Sequence, residues 1–422
     1  MKKTILLLSF LFLLINDVSA QQYCIPGRFD TTNVFIPTDL DSSVVQFGQN
    51  TSWAGSTINL FMTLYYPALA VDPLSKRPFV MIIHGGSFTH DTRDSMIDEV
   101  KYFAAKGYVS ATIDYRLGWD SGNPQDCGGD NNLHINAVYR AVQDAKAALR
   151  YVSAYSSVYH IDSTEMFIGG TSSGAFASLA VAFISENDFN VVKPGITSLL
   201  GPLNSASNSL TDPYIIKGIL SYKGAIWDSS VINSSNAIPT IFLHGTADPY
   251  YPYYFGNAYT CSNYFTLEGS GSLAKRLDNL DMCYELNYKV NGDHGVIYPA
   301  PYTLGRRALF MKKILCGECN QTIVENQIIL QDNIITGAGN LAEYMNDFNA
   351  YPNPATNKII IEMAQLNKTA KILIYNIAGQ QVLQQALSES LTEINIADMP
   401  KGVYIIKATT EKGIKVRKFV KE

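Results

Sequence analysis

A serine framed by glycines, Gly170-Thr171-Ser172-Ser173-Gly174, lies between a short apolar run, Met166 to Ile168, and a small-residue run that begins at Ala175. Strand, sharp turn and helix is the context in which G-x-S-x-G lifts a serine Oγ clear of its own backbone for attack on a carbonyl. Gly170 and Gly174 suit the turn because side chains there would strike the neighbouring strand and helix. The helix start also brings backbone N–H groups beside Ser172, that of Ser173 first, where a developing oxyanion can be held. The chemistry these residues suggest is acyl transfer through a serine nucleophile.

Such a serine needs a base and an orienting acid, which follow it in the order Ser, Asp or Glu, His. Six histidines allow an elimination. His84 belongs to a glycine loop, His84-Gly85-Gly86-Ser87-Phe88, after an apolar run. His90, His134 and His160 precede the nucleophile. His244 precedes the acid candidate, Asp248, which closes His244-Gly245-Thr246-Ala247-Asp248 after the run Thr240 to Leu243. His294, in Asn291-Gly292-Asp293-His294-Gly295, is the histidine left. The glycine loop is the place for the second arm of an oxyanion hole, through N–H groups of Gly86 and Ser87.

These residues must be positioned by a sheet. Pro78 to Ile83, Tyr108 to Ile113, Gly218 to Tyr222, Thr240 to Leu243 and Glu285 to Val290 read as strands, several of them continuously apolar and so buried on both faces. Antiparallel strands are expected before them, at Asn33 to Ile36, Ser43 to Phe47 and Ile58 to Tyr66. Helices are expected at Asp94 to Ala105, Ile135 to Val152, Ser272 to Leu280 and Leu304 to Leu315; in the second, Ile135, Val138, Val142, Ala145, Leu149 and Val152 share one face. Strands alternating with helices imply a mostly parallel sheet with helices on both faces. Asn187 to Lys217 is expected to form a small cap. Tyr250 to Phe255 is either an aromatic rim beside the acid or the packing of an irregular loop.

Residues from about Asp30 to Leu315 resemble an α/β-hydrolase of the esterase/lipase type. The matching signatures are His84-Gly85-Gly86, Asp114-Tyr115-Arg116-Leu117, Gly170 to Gly174, His244 to Asp248 and Asp293-His294-Gly295. Ser87 stands where related esterases carry a fourth-position glycine and Ser173 where Ala or Met is usual; both still offer a backbone N–H. The resemblance implies a serine esterase with catalytic Ser172, Asp248 and His294, an oxyanion hole from Gly86, Ser87 and Ser173, and no cofactor. The same fold and triad also serve serine peptidases, and a third reading is a catalytically silent surface-binding protein.

The ends carry other instructions. Lys2, Lys3, an apolar run from Ile5 to Ile15 and Val18-Ser19-Ala20 make residues 1–20 a secretory signal peptide. The apolar run falls short of the roughly 20 residues a bilayer crossing needs, and no transmembrane anchor is expected. Six cysteines after a signal peptide favour disulfides, with the pairing left open. Cys316-Gly-Glu-Cys319 lacks a second ligand pair, so no metal is expected. A net charge of −5 gives no sign of a nucleic-acid partner. The hydrolase part is expected over 21–316 and a polar linker over 317–350.

From Tyr351 the chain reads as short strands at Lys358 to Glu362, Ala370 to Tyr375, Glu393 to Ile396, Gly402 to Ala408 and Ile414 to Val420, a small all-β sandwich over 351–422. This segment resembles the C-terminal sorting domain of the type IX secretion system of Bacteroidetes. The likeness rests on Tyr351-Pro352-Asn353-Pro354, Tyr375-Asn376-Ile377-Ala378-Gly379, Met399 to Tyr404 and Lys415-x-x-Lys418. It implies passage through the periplasm, recognition by the type IX machinery, removal of the tail, and a secreted or surface location.

Overall fold

The computed structural model describes residues 22–295, 297–334, 349–362, 370–376, 380–387, 389, 391–410 and 413–422. The signal peptide and Ile377-Ala378-Gly379 lie outside them. The chain divides into two compact units, the first ending at Asn320 and the second running from Gln321 to Glu422.

The first unit is built on a large sheet whose strands are β1 (Leu40–Thr51), β2 (Thr57–Pro67), β3 (Arg77–Ile83), β4 (Val109–Ile113), β5 (Ile161–Thr171), β6 (Ile216–Tyr222), β7 (Thr240–Gly245) and β8 (Tyr284–Lys289). Their spatial order is β1-β2-β4-β3-β5-β6-β7-β8. β1 and β2 form an antiparallel hairpin, and β2 runs antiparallel to β4. From β4 onward every neighbour is parallel. The apolar runs of β3 and β4 are buried at every residue, as strands covered on both faces must be.

The helices are α1 (Ile97–Ala104), α2 (Asn131–Ala154), α3 (Ser173–Phe183), α4 (Ser270–Asp278) and α5 (Ala300–Leu315), with shorter turns between them. α1 packs with α5 on one face and α2 with α3 on the other. The parallel register decides where chemistry can occur. Ile83 lies beside Gly170, Gly170 beside Ser221, Tyr222 beside Leu243, and Gly245 beside Lys289. The loops after β3, β5, β6, β7 and β8 therefore emerge along one edge of the sheet, where ligand sites of open α/β sheets form.

Two expectations are corrected. Asn33 to Ile36 is not a strand; it lies across the end of α1, where Val34 and Phe35 both donate their N–H to Ala105 O at 2.9 and 3.0 Å, and it runs into a 3-10 turn at Pro37–Asp39. Asn187 to Lys217 does not cap the nucleophile edge. It holds short helices, Glu186–Val192 and Ile196–Leu200, and is fastened along α2. Gln143 Nε2 donates to the carbonyls of Leu200, Gly201 and Pro202 at 3.0–3.1 Å, and Ser207 Oγ donates to Asp144 at 2.6 Å. The polar residues on the second face of α2 are thus used up by this segment.

The six cysteines pair as Cys24–Cys316, Cys127–Cys261 and Cys283–Cys319. Cys127–Cys261 closes a loop of sequence separation 134 and joins the segment after β4 to the segment between β7 and α4. Chain-entropy arguments put such a cross-link at roughly 3–5 kcal/mol. The paired variant Cys127→Ser/Cys261→Ser is expected to fold but to melt several degrees lower. A calorimetric scan that places both proteins at the same midpoint contradicts that role.

In the second unit, strands Asn320–Glu325 and Ile328–Ile334 occupy the first part of the stretch expected as linker, the first beginning at the residue where the units meet; residues 335–348 lie outside the described residues. Two antiparallel sheets follow. One holds Asn349–Tyr351, Lys358–Glu362 and Leu391–Asn395; the other holds Gln381–Leu387, Ala370–Asn376, Gly402–Thr410 and Gly413–Lys421 in that order. Ile359, Ile361, Ile372, Ile374, Ile406 and Phe419 share one core. Gln381–Leu387 is an additional strand. It lies at the sheet edge, mostly exposed, so its sequence QVLQQAL shows little apolar alternation.

Candidate active site

β5 ends at Thr171 and α3 starts at Ser173, which leaves Ser172 as the whole of the turn. Its backbone has φ 55° and ψ −122°, a conformation that a non-glycine residue adopts only when its surroundings impose it. The surroundings are tight. A Cβ at Gly174 would come 2.1 Å from Ile83 O, and one at Gly170 would come 2.5 Å from both Ile83 O and Gly174 C. Both positions require glycine so that β5, β3 and α3 can meet.

His294 arrives from the loop after β8, which is tied to the loop after β7: Ala247 N donates to Gly292 O and Thr246 N to Lys289 O, both at 2.9 Å. Ser172 Oγ lies 2.8 Å from His294 Nε2, and His294 Nδ1 lies 2.6 Å from Asp248 Oδ2. With Nδ1–H donating to the carboxylate, Nε2 is left to accept the serine proton. Asp248 Oδ1 accepts the N–H groups of Tyr250 and Tyr251 at 2.8 and 3.0 Å. The Tyr250 ring stacks on the His294 ring at 4.5 Å. Ser172, His294 and Asp248, the three residues expected from sequence, are therefore brought into one hydrogen-bonded chain.

Burial opposes ionisation of Asp248, but hydrogen bonds from His244 and His294 outweigh it and hold the carboxyl well below its usual range. Burial pushes His294 below its ordinary 6.5; the hydrogen bond and charge of Asp248 oppose that, while Lys223 and His244 add to it. His294 is thus neutral, and able to act as a base, down to a lower pH than a solvated histidine.

The loop after β3 is held as a rigid cradle. Gly86, Ser87 and Phe88 have successive positive φ values of 96°, 53° and 60°. Its carbonyls are tied elsewhere: Tyr115 OH donates to His84 O and Gly85 O, Thr89 N to Gly86 O, Trp119 Nε1 to Ser87 O, and Gly118 N to Phe88 O. A Cβ at Gly85 would lie 3.4 Å from Ser172 Cβ, which puts this loop directly against the nucleophile. Successive backbone N–H groups in such a turn form an anion-binding concavity. Ser173 N, at the first position of α3, has no partner within its own helix.

The histidines set aside by elimination have other places. His84 is buried and stacks on Tyr115 at 4.4 Å. His134 stacks on Trp119 at 4.2 Å, and burial pushes it down to about 3, so it stays neutral. His244 is the residue the elimination undervalued. Its Nε2 lies 3.1 Å from Asp248 Oδ2 and its Nδ1 lies 2.8 Å from Ser270 Oγ at the start of α4. Its position four residues before Asp248, at the end of a buried strand, was the available signal. In the tyrosine-rich loop Tyr251 and Tyr253 are buried, whereas Tyr254 and Phe255 are 62% and 68% exposed.

Residues 62–197 match the family BD-FAE, and residues 349–422 match the secretion system C-terminal sorting domain. This is an α/β-hydrolase fold ending in a sorting domain. Esterase 2 of Thermogutta terrifontis, phosphorylated by paraoxon, aligns at 17% identity over 65% of this chain and 94% of that one, with a TM-score of 0.46. Its butyrate-bound structure gives the same values. A curated relative, a non-reducing polyketide synthase of Penicillium rubens, is 26% identical over 165 residues, 39% of this chain. The matched region spans 6% of that relative's length. The sorting domain makes this α/β-hydrolase an exported protein, at the cell surface or outside the cell, and implies the secretion machinery as a partner. Among the described residues no helix is long and apolar enough to cross a membrane, and no group of three or more metal-ligating side chains occurs.

Proposed function

We propose that this α/β-hydrolase is a secreted serine esterase that cleaves carboxylic esters, either acylated polysaccharide or short-chain esters. The observation that carries the reading is the continuous chain from Ser172 Oγ through the His294 ring to Asp248. His294 Nε2 takes the Ser172 proton as Oγ bonds to the carbonyl carbon. The oxygen of the tetrahedral intermediate becomes an anion held by N–H groups of Gly86 or Ser87 and of Ser173. When the intermediate collapses, the ester C–O bond breaks and the alcohol leaves with the proton from His294. Water, deprotonated by the same ring, then adds to the acyl carbon; the acyl–Oγ bond breaks, the acid leaves, and His294 returns the proton to Ser172 Oγ. Asp248 keeps the imidazole in the required tautomer and stabilises the imidazolium in both halves. An exported location and the exposed rings of Tyr254 and Phe255 support a polymeric substrate that stacks at the rim.

A hydrolysis panel of acetyl, butyryl and feruloyl esters, acetylated xylan and a peptide amide tests the reading. Ester turnover with no peptide cleavage is expected; the reverse pattern makes the chain a peptidase. On the acid side, kcat/KM is expected to fall only below pH 6.5, because the folded His294 pKa lies under that ordinary value. A fall already complete at pH 6.5 contradicts the assignment of His294 as the base.

A further inference from the structure

Lys223 is the first residue after β6, and its side chain enters the site without belonging to the triad. Its backbone N–H donates to Leu243 O at 2.8 Å, which fixes it beside β7. Its φ of 61° is unusual for a lysine and marks a position imposed by the surroundings. Nζ donates to His294 O at 2.8 Å and to Gly295 O at 3.2 Å. A single ammonium therefore ties the main chain of the candidate base to the end of a central strand.

This is a costly way to hold a loop. A cation has been brought beside a ring that must itself become a cation during turnover. The groups facing His294 divide by sign. Asp248, on the loop after β7, favours the protonated ring; Lys223, after β6, and His244, at the end of β7, disfavour it. Ser172 and the Tyr250 and Tyr251 rings complete the surroundings. Asp248 and Asp293, in turn, favour the charge on Lys223 against its burial. A neutral donor would serve for an anchor alone. A charged one also adds to burial, the larger effect, in opposing the pull of Asp248 toward a protonated ring.

We propose that Lys223 is a positioning residue of the triad, its ammonium fixing the His294 main chain and setting a positive charge beside the ring. The proposal rests on the reading of His294 as the base. Its test compares wild type, Lys223→Met and Lys223→Arg on a short-chain aryl ester between about pH 5 and 8. The same proteins and His294→Ala are labelled with a fluorophosphonate. Lys223→Met is expected to lose about tenfold in kcat with little change in KM. Its acid limb is expected to move up by about half a pH unit, because the imidazolium is no longer opposed. Lys223→Arg, which keeps the charge and the donors, is expected to restore both.

Lys223→Met with wild-type kcat and an unmoved limb overturns the proposal. So does equal loss in both variants with the limb unmoved, which is the signature of packing alone. Should Lys223→Met fail to fold, Lys223→Gln replaces it: an amide that matches wild type in rate and limb removes any need for the charge, and one that shifts the limb while Arg does not supports it. Labelling separates the two readings. If His294→Ala labels as fast as wild type, the base assignment has failed; if His294→Ala is silent while Lys223→Met labels normally throughout, only the Lys223 role has failed.

Discussion

Ser172→Ala is expected to abolish ester hydrolysis while leaving the fold intact. The substitution removes one oxygen from a partly buried turn whose geometry is set by other residues: the approach of Gly170 and Gly174 to Ile83 fixes the elbow whatever stands at position 172. Loss of a triad nucleophile typically costs on the order of 10⁴–10⁶ in kcat, with the residue of activity coming from the oxyanion hole and binding. Melting temperature and far-UV spectrum are expected to match wild type, or to improve slightly, since Ala at φ 55° carries the same backbone strain as Ser but buries no hydroxyl. Retention of a tenth of the wild-type rate in a correctly folded protein removes Ser172 from the role.

Asp248→Asn is expected to lower kcat by about 10⁴ with KM nearly unchanged. The amide preserves shape and still accepts the N–H groups of Tyr250 and Tyr251 on one side. Facing His294, an Asn that turns its NH₂ toward the ring donates to Nδ1 and forces the proton onto Nε2, the nitrogen that must accept from Ser172. The carboxylate that stabilises the imidazolium is gone as well. His244 sharpens the prediction, because it shares Asp248 Oδ2 with His294 and is left with an uncharged partner. A near-normal rate in Asp248→Asn reassigns the acid to another carboxylate.

In the candidate triad Ser172 and Asp248 were legible because each follows a strand whose apolar character is unmistakable, as does the glycine loop at His84, whereas His294 follows the polar-interrupted strand YELNYK. Val80 to Ile83, Met166 to Ile168 and Ile241 to Leu243 are buried on both faces, and the residues that interrupt them with glycine and a polar group sit where the loops must turn. Chain order then removed five histidines and left His294. Lys223 was not legible in the same way. Its role depends on two loops being brought to one sheet edge by parallel register, and nothing near it in sequence announces the carbonyls of His294 and Gly295. Disulfide pairing was open for the same reason, since Cys24 and Cys316 are 292 residues apart. Asn33 to Ile36 is largely apolar and carries β-branched residues like a strand, yet its partner is Ala105, the residue that ends α1, and not a strand edge. The segment after α3 read as a cap because it follows the nucleophile helix; the buried polar face of α2, with Gln143 and Asp144, was the overlooked demand for a covering segment.

The central claim is that Ser172 is a nucleophile activated by His294. It is tested most directly by reacting the purified, exported protein with a fluorophosphonate and locating the adduct by peptide mass spectrometry. The account predicts one adduct per chain, on Ser172, formed rapidly in wild type, absent in Ser172→Ala and slowed by orders of magnitude in His294→Ala. An adduct on any other residue, or none under conditions where the protein hydrolyses esters, contradicts it.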